Sequence, residues 1–344
     1  MATKLLLAAL AVGASVGATP GRHHHAAEMD NLITFGDSYT DEGRSDYFVR
    51  HHAAPPEGLV LPPNNATFSG GYAWSRLVAR RTGAASYNYA VAGAMCSDAL
   101  VDRFADIIGG PFPSVLDYEV PAFEADVADA ANRRRRNNSS HHRDDGDGSR
   151  LFPDRRRRRA DNSVYATLAS FADCVWAVFD RLHHAGGRRF VLVNQLPLEL
   201  APMYARPGVF GQGSARFLRD PAAHNVTEFR DKLRQYTTAV NTMFEYGVPF
   251  HLRRWPDAVF SLLDAHAIVT DVHADPAGYL DAPANATAPY RRCTQACVNA
   301  PEPLSSFVWF DELHPSERMQ EIFAKHFTDL VVHGRSKYGK RYHG

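Results

Sequence analysis

Phe190-Val191-Leu192-Val193 is apolar at every position, and no other stretch constrains the fold of this chain as tightly. A strand with one face in water alternates apolar and polar residues, whereas an unbroken apolar run is covered on both faces. Arg189 and Pro197 bound the run, so it is predicted as a short buried parallel strand ending at Asn194. Parallel strands need long crossovers, and helical stripes stand on both sides of this one. Leu168, Phe171, Val175, Phe179 and Leu182 form one helical face before it, stopped by Gly186-Gly187. Phe229, Leu233, Tyr236, Val240 and Phe244 repeat the pattern after it. Ala258 to Leu263 reads as a further strand, residues 274–305 as a loop, and Met319, Ile322, Phe323, Phe327 and Leu330 as a last helix. Nearer the start, Leu32 to Phe35 and Tyr87 to Val91 read as strands, with a helix through Trp74, Leu77 and Val78 between them. Strands alternating with helices predict an α/β doubly wound sheet in a single domain over about residues 31–335.

The 38 basic and 38 acidic residues cancel, so no global field favours nucleic acid or an acidic partner. Charge is instead concentrated at about 132–163, where Arg133 to Arg136, Asp144-Asp145 and Arg155 to Arg159 crowd together. Blocks of like charge repel and resist burial, so this stretch reads as a solvated insertion. Lys4 followed by the apolar stretch Leu5 to Ala18 reads as a secretory leader, with Val16-Gly17-Ala18 as its small-residue cleavage site. The run is too short to span a bilayer, and no later one is longer. Residues 19–30 and 336–344 read as tails. A secreted, extracellular protein follows, and four cysteines fit that compartment: Cys96, Cys174, Cys293 and Cys297. They allow three pairings; a local staple between Cys293 and Cys297 would leave Cys96 for Cys174. No histidine near them has metal-ligand spacing, so no metal is expected. Sequons for N-glycosylation stand at Asn65, Asn137, Asn138, Asn225 and Asn285.

Chemistry points to Ser38. It follows the first strand in the turn Gly36-Asp37-Ser38, at the strand end where open α/β sheets bind ligands. A nucleophilic serine needs a base, a group to orient that base, and donors for the oxyanion. His314 in Asp311-Glu312-Leu313-His314-Pro315 is the candidate base, and Asp311, three residues earlier, can reach back to its other ring nitrogen. The serine is not in a Gly-x-Ser-x-Gly elbow.

The stretches Ile33-Thr34-Phe35-Gly36-Asp37-Ser38-Tyr39-Thr40-Asp41-Glu42-Gly43-Arg44, Tyr87-Asn88-Tyr89-Ala90-Val91-Ala92-Gly93-Ala94 and Trp309-Phe310-Asp311-Glu312-Leu313-His314-Pro315 resemble the GDSL, or SGNH, hydrolases. They are most similar to the fungal acetylesterase branch, carbohydrate esterase family sixteen. The resemblance implies a three-layer α/β/α fold with a five-stranded parallel sheet, and no metal or cofactor. It implies Ser38 as nucleophile, His314 as base, Asp311 as its partner, and the backbone N–H groups of Ser38 and Gly93 in an oxyanion hole. It implies a monomer acting on acetylated carbohydrate or another small ester, with no nucleic acid and no membrane span. The family's third block, Gly-x-Asn-Asp at the end of the central strand, does not occur. Asn162 precedes the place where that strand should run, Asn194 ends the next one, and Val164 to Ala166 is shorter than a typical strand of about five residues. The oxyanion asparagine is therefore absent and the central strand is expected to be truncated. An incomplete gene model across residues 155–175 would account for both. Three functions follow from these residues: a secreted acetylesterase, a catalytically impaired relative, and a general lipase or arylesterase on the same fold.

Overall fold

The computed structural model describes residues 29–138, 166–205, 225–293 and 296–344. The leader, nearly all of the N-terminal tail, most of the charged insertion, Asn162 and Val164-Tyr165 lie outside them.

β1 (Asn31–Thr34) pairs in parallel with β2 (Ala85–Asn88), Leu32 opposite Ser86 and Thr34 opposite Asn88. Their crossover holds α1 (Arg44–His51) and α2 (Trp74–Thr82). A small hairpin, β3 (Phe104–Ala105) with β4 (Gly110–Pro111), precedes a π-helical turn at Val115–Glu119 that runs into α3 (Val120–Asn138). α4 (Leu168–His184) begins at a capping box, the Thr167 hydroxyl accepting from the Ser170 N–H at 3.0 Å. It leads into β5 (Arg189–Val193). α5 (Val226–Leu252) crosses to β6 (Val259–Leu263), which pairs in parallel with β5 and passes directly into α6 (Ala265–Ala274). β7 (Asn285–Pro289) and the hairpin of β8 (Arg291–Cys293) with β9 (Cys297–Asn299) follow. β10 (Phe307–Trp309) lies parallel to β7, and α7 (Glu317–Val331) leads to β11 (Gly339–His343), antiparallel to β6.

Because strand side chains alternate, β5 feeds two cores. Val191 and Val193 pack with Leu32 and with the α2, α6 and α7 residues Val78, Ile268, Met319 and Phe327. Phe190 and Leu192 pack with Ile33 and with Phe123, Phe179 and Phe244 of α3, α4 and α5. Helices thus cover both faces of the strands, giving the three-layer α/β/α arrangement.

The sheet is in two pieces. β1 pairs with β2 and β5 with β6, but β1 and β5 are not bonded to one another. Met29 and Asn31 meet Arg189, Phe190 and Val191 around a small cavity of ≈ 20 Å³. Among the described residues no strand stands between them; the stretch expected to carry the truncated central strand lies outside these residues, Ala166 excepted. The buried Thr34 hydroxyl beside that edge has no partner among the described residues.

Several elements depart from the sequence pattern. Met29, placed in the tail, is buried in the core. α1, for which no apolar stripe was read, starts at Arg44; Asp41 stands ahead of it and its carboxylate accepts from the Gly43 and Arg44 N–H groups. α3 continues through Asn138 into the stretch read as a loop, since arginine is a good helix former even in a charged run. α6 was hidden because it follows β6 without a break. The loop at 274–305 contains β7, β8 and β9, and the C-terminal tail forms β11, each strand too short to show a period.

Candidate active site

Ser38 sits in the turn after β1, closed by Thr40 and Asp41 N–H donation to the Asp37 carbonyl at 3.0 and 2.9 Å. Gly36 in that turn has φ 139°, a conformation side chains resist. The Asp37 carboxylate accepts the Tyr39 N–H at 2.9 Å. His314 lies across the molecule between β10 and α7. There Asp311 folds the chain back on itself, one carboxylate oxygen accepting the Leu313 and His314 N–H groups at 2.9 and 2.8 Å. The same carboxylate meets His314 Nδ1 at 2.9 and 3.0 Å, and His314 Nε2 lies 2.9 Å from Ser38 Oγ. Ser38, His314 and Asp311 therefore form one hydrogen-bonded chain. Asp311 is 1% exposed and His314 3%. Burial pushes the Asp311 carboxyl up, but the adjacent imidazole and the two backbone donors outweigh it and hold the group below the usual carboxylate range.

Aromatic rings fix the imidazole. Tyr39 meets it edge-on at 5.6 Å and donates its hydroxyl to the Leu313 carbonyl at 2.8 Å, tying the two loops together. Phe68 lies against it at 5.3 Å. Burial, and then the Asp37 and Asp311 charges, raise the Tyr39 phenol well above its ordinary value, so it stays a donor.

Gly93 follows β2 with φ 85°, and a Cβ there would meet the Phe112 ring at 3.3 Å. Its carbonyl accepts from Arg103 Nη1 at 2.6 Å. The Ser38 and Gly93 N–H groups make no hydrogen bond to a described residue. Beside this array lies a cleft of ≈ 560 Å³, whose lining includes Asp46, Asn64, Asn65, Tyr290, Phe310 and Asp311. Tyr290 and Phe310 are stacked, their centroids 6.3 Å apart.

The cysteines pair as Cys96–Cys174 and Cys293–Cys297. Of the sequon asparagines, Asn65 is exposed on the cleft, Asn225 caps α5 by accepting the Glu228 N–H, and Asn285 accepts from Thr287 and Ala288 in β7. Asn137 and Asn138 end α3. Asn194 lies away from Ser38 in this network, bonded to Asp264 and His266 at the end of β5. Among the described residues no three His, Cys, Asp or Glu side chains form a group able to hold a metal. No helix there is long and apolar enough to cross a membrane. Sequence reasoning gave Tyr39 no role although it stands beside Ser38, and it missed Phe68, Arg103 and Glu119, which reach the site through tertiary contact and carry no local signal.

A Ser–His–Asp chain at the carboxyl end of β1, on a three-layer α/β fold, suits an ester hydrolase, and similarity to known proteins shows that class. Over 316 residues, 90% of each chain, the sequence is 39% identical to the acetylesterase of Hypocrea jecorina. Over 337 residues, 94% of this chain and 96% of the relative, it is 24% identical to the acetylesterase of Thermothelomyces thermophilus. No family model matches the chain. The protein belongs to the acetylesterase family.

Proposed function

We propose that this ester hydrolase is a secreted acetylesterase acting on plant cell-wall carbohydrate through an acyl-enzyme on Ser38, in the manner of the GDSL hydrolases of carbohydrate esterase family sixteen. The observation that carries the reading is the 2.9 Å approach of His314 Nε2 to Ser38 Oγ, with Asp311 on the other ring nitrogen. Ser38 Oγ attacks the acetyl carbonyl as His314 takes its proton, and Asp311 stabilises the imidazolium that forms. The N–H groups of Ser38 and Gly93 receive the developing oxyanion. His314 returns the proton to the departing sugar oxygen, leaving acetyl-Ser38, and then draws a proton from the water that releases acetate.

The cleft supports the substrate class. Asn64, Asn65 and Asp46 in its lining suit a hydroxyl-rich leaving group, and the stacked Tyr290 and Phe310 give it an aromatic wall. Two disulfides support an oxidising compartment, as does the leader-like N-terminus, and the exposed Asn65 is accessible to glycosylation. We read the enzyme as a monomer that needs no cofactor.

The test is hydrolysis of p-nitrophenyl esters of increasing chain length, with Ser38→Ala as control. Acetate is expected to turn over fastest, and Ser38→Ala to lose on the order of 10⁴-fold or more in kcat. A maximum at long acyl chains would instead assign a general lipase or arylesterase. A second reading, an impaired relative, draws on the open edges of β1 and β5 and on the absent third donor, worth about 10²–10³ in kcat. Robust Ser38-dependent turnover by this chain removes it.

A further inference from the structure

The Ser38 turn and the Gly93 turn leave different strands, and something must fix the gap between their N–H groups. Glu119, the last residue of the π-helical turn, is 0% exposed and lies at the join. Its Oε2 accepts the Gly36 N–H at 2.8 Å and its Oε1 the Val91 N–H at 3.1 Å. Gly36 and Val91 each stand two residues before Ser38 and Gly93. A second carboxylate repeats the tie on the far side of the turns. Asp41 accepts the Ala92 N–H at 2.8 Å through Oδ2 and the Gly43 and Arg44 N–H groups through Oδ1. Arg44 is buried with them, donating to the Tyr118 hydroxyl at 3.0 Å and standing over the Tyr89 ring at 4.9 Å.

We propose that Glu119 is a positioning residue that sets the spacing of the Ser38 and Gly93 N–H donors by holding Gly36 and Val91 on the two oxygens of one carboxylate. The proposal rests on Ser38 and Gly93 being the oxyanion donors. With two donors and no third identified among the described residues, their relative placement matters more than in a site with one to spare. The Val91 N–H also reaches the Gly36 carbonyl at 3.2 Å, so the carboxylate reinforces a backbone bond between the two turns and gives the Gly36 N–H its acceptor. A glutamine of the same shape presents one oxygen and one NH₂, so in either orientation a donor faces a backbone donor. Burial of Glu119 raises its carboxyl well above the ordinary value, against the pull of the two amides and Arg44. The two amide bonds give a reason for burying an acid there in spite of that cost.

The experiment compares wild type, Glu119→Gln, Glu119→Asp and Ser38→Ala on a small acetyl ester. Alongside, Ser38 is labelled by an organophosphonate, whose anionic oxygen occupies the same donors. Glu119→Gln is expected to lower kcat about tenfold to a hundredfold, a fraction of the loss of one donor. KM should stay within about twofold, and labelling should slow by the same factor as kcat. Glu119→Asp, too short to reach both amides, should lose activity likewise. A folded Glu119→Gln with wild-type kcat and labelling rate overturns the proposal. So does failure of both Glu119 variants to fold, since Glu119 would then be a determinant of the fold alone. Wild-type turnover by Ser38→Ala, or wild type that neither turns over nor labels, would sink the active-site reading itself. That outcome is told apart because it appears without any change at Glu119.

Discussion

Asp311 carries the most chemistry per atom in the site. It closes its own turn and meets His314 Nδ1, and in the proposed mechanism it steadies the imidazolium, all through one buried carboxylate. Asp311→Asn keeps the shape but places an amide beside Nδ1, favouring the wrong tautomer, and is expected to lower kcat by about 10⁴ while the protein stays folded. The same group shapes acid stability. Its folded pKa lies below the unfolded value of ~3.9, so the unfolded chain binds more protons. Its contribution is thus complete above the ordinary carboxylate range and lost as pH falls through the lowered folded value. Denaturation of wild type and Asp311→Asn between about pH 6 and pH 2 should show the stability gap narrowing on acidification. A gap independent of pH would contradict that assignment. At this scale the sequence was legible where partners sit close in the chain: Asp311 and His314 are three apart and share one turn. Glu119 was illegible because its partners, Gly36 and Val91, lie 83 and 28 residues away and offer only backbone.

Elements bring Ser38 and His314 together, and α7, which follows His314, packs against α2. The N-terminus of α7 reaches the start of α2 twice: Glu317 accepts the N–H of Tyr72, two residues before the helix, at 2.8 Å, and Gln320 that of Trp74, its first residue, at 3.1 Å. Ser316 caps α7, accepting from Met319, and donates its hydroxyl to the Phe307 carbonyl, so the helix start is fastened to β10 on its other side. Gly71 leaves room for the Glu317 carboxylate, and a Cβ there would collide with it. Gly71→Ala and Glu317→Ala are each expected to cost about 1–2 kcal/mol, because either leaves the Tyr72 N–H unpaired. The double variant should cost little more than one of them, since both remove the same bond. Additive losses in urea denaturation would show that the packing of α7 against α2 does not depend on it. The apolar stripes of α4, α5 and α7 and the runs of β5 and β6 were plain in the sequence, because periodicity is a local signal. The pairing of β7 with β10 was not, since three to five residues carry no period and their register is set by a partner about twenty residues on.

At the scale of the molecule, no backbone bonds among the described residues join the two halves of the sheet, so other devices there matter. One is the pair of cores, each holding side chains from both β1 and β5. The other is α4 with its disulfide. Cys96, three residues after Gly93, is bonded to Cys174 in the middle of α4, across a separation of 78 residues. Arg181 further along α4 donates to the Leu116 carbonyl at 2.7 Å, beside the turn that carries Glu119, and pairs with Glu124 of α3. Phe179 on the same helix packs edge-on against Phe190 of β5, so α4 grips the Gly93 loop and the far half of the sheet at once. A cross-link closing so long a loop removes more chain entropy than the four-residue Cys293–Cys297 link, and is worth about 4 kcal/mol on the entropic model. Cys96→Ser with Cys174→Ser should therefore lower stability by about 2–5 kcal/mol, read as a shift in the denaturant midpoint. Because the bond also anchors the loop bearing Gly93, kcat of the remaining folded protein should fall with it. Cys293→Ser with Cys297→Ser should cost less and leave kcat near wild type, since that link closes only the hairpin of β8 and β9. Equal losses from the two pairs would mean that the divided sheet is held by its cores alone and that α4 adds nothing as a clamp.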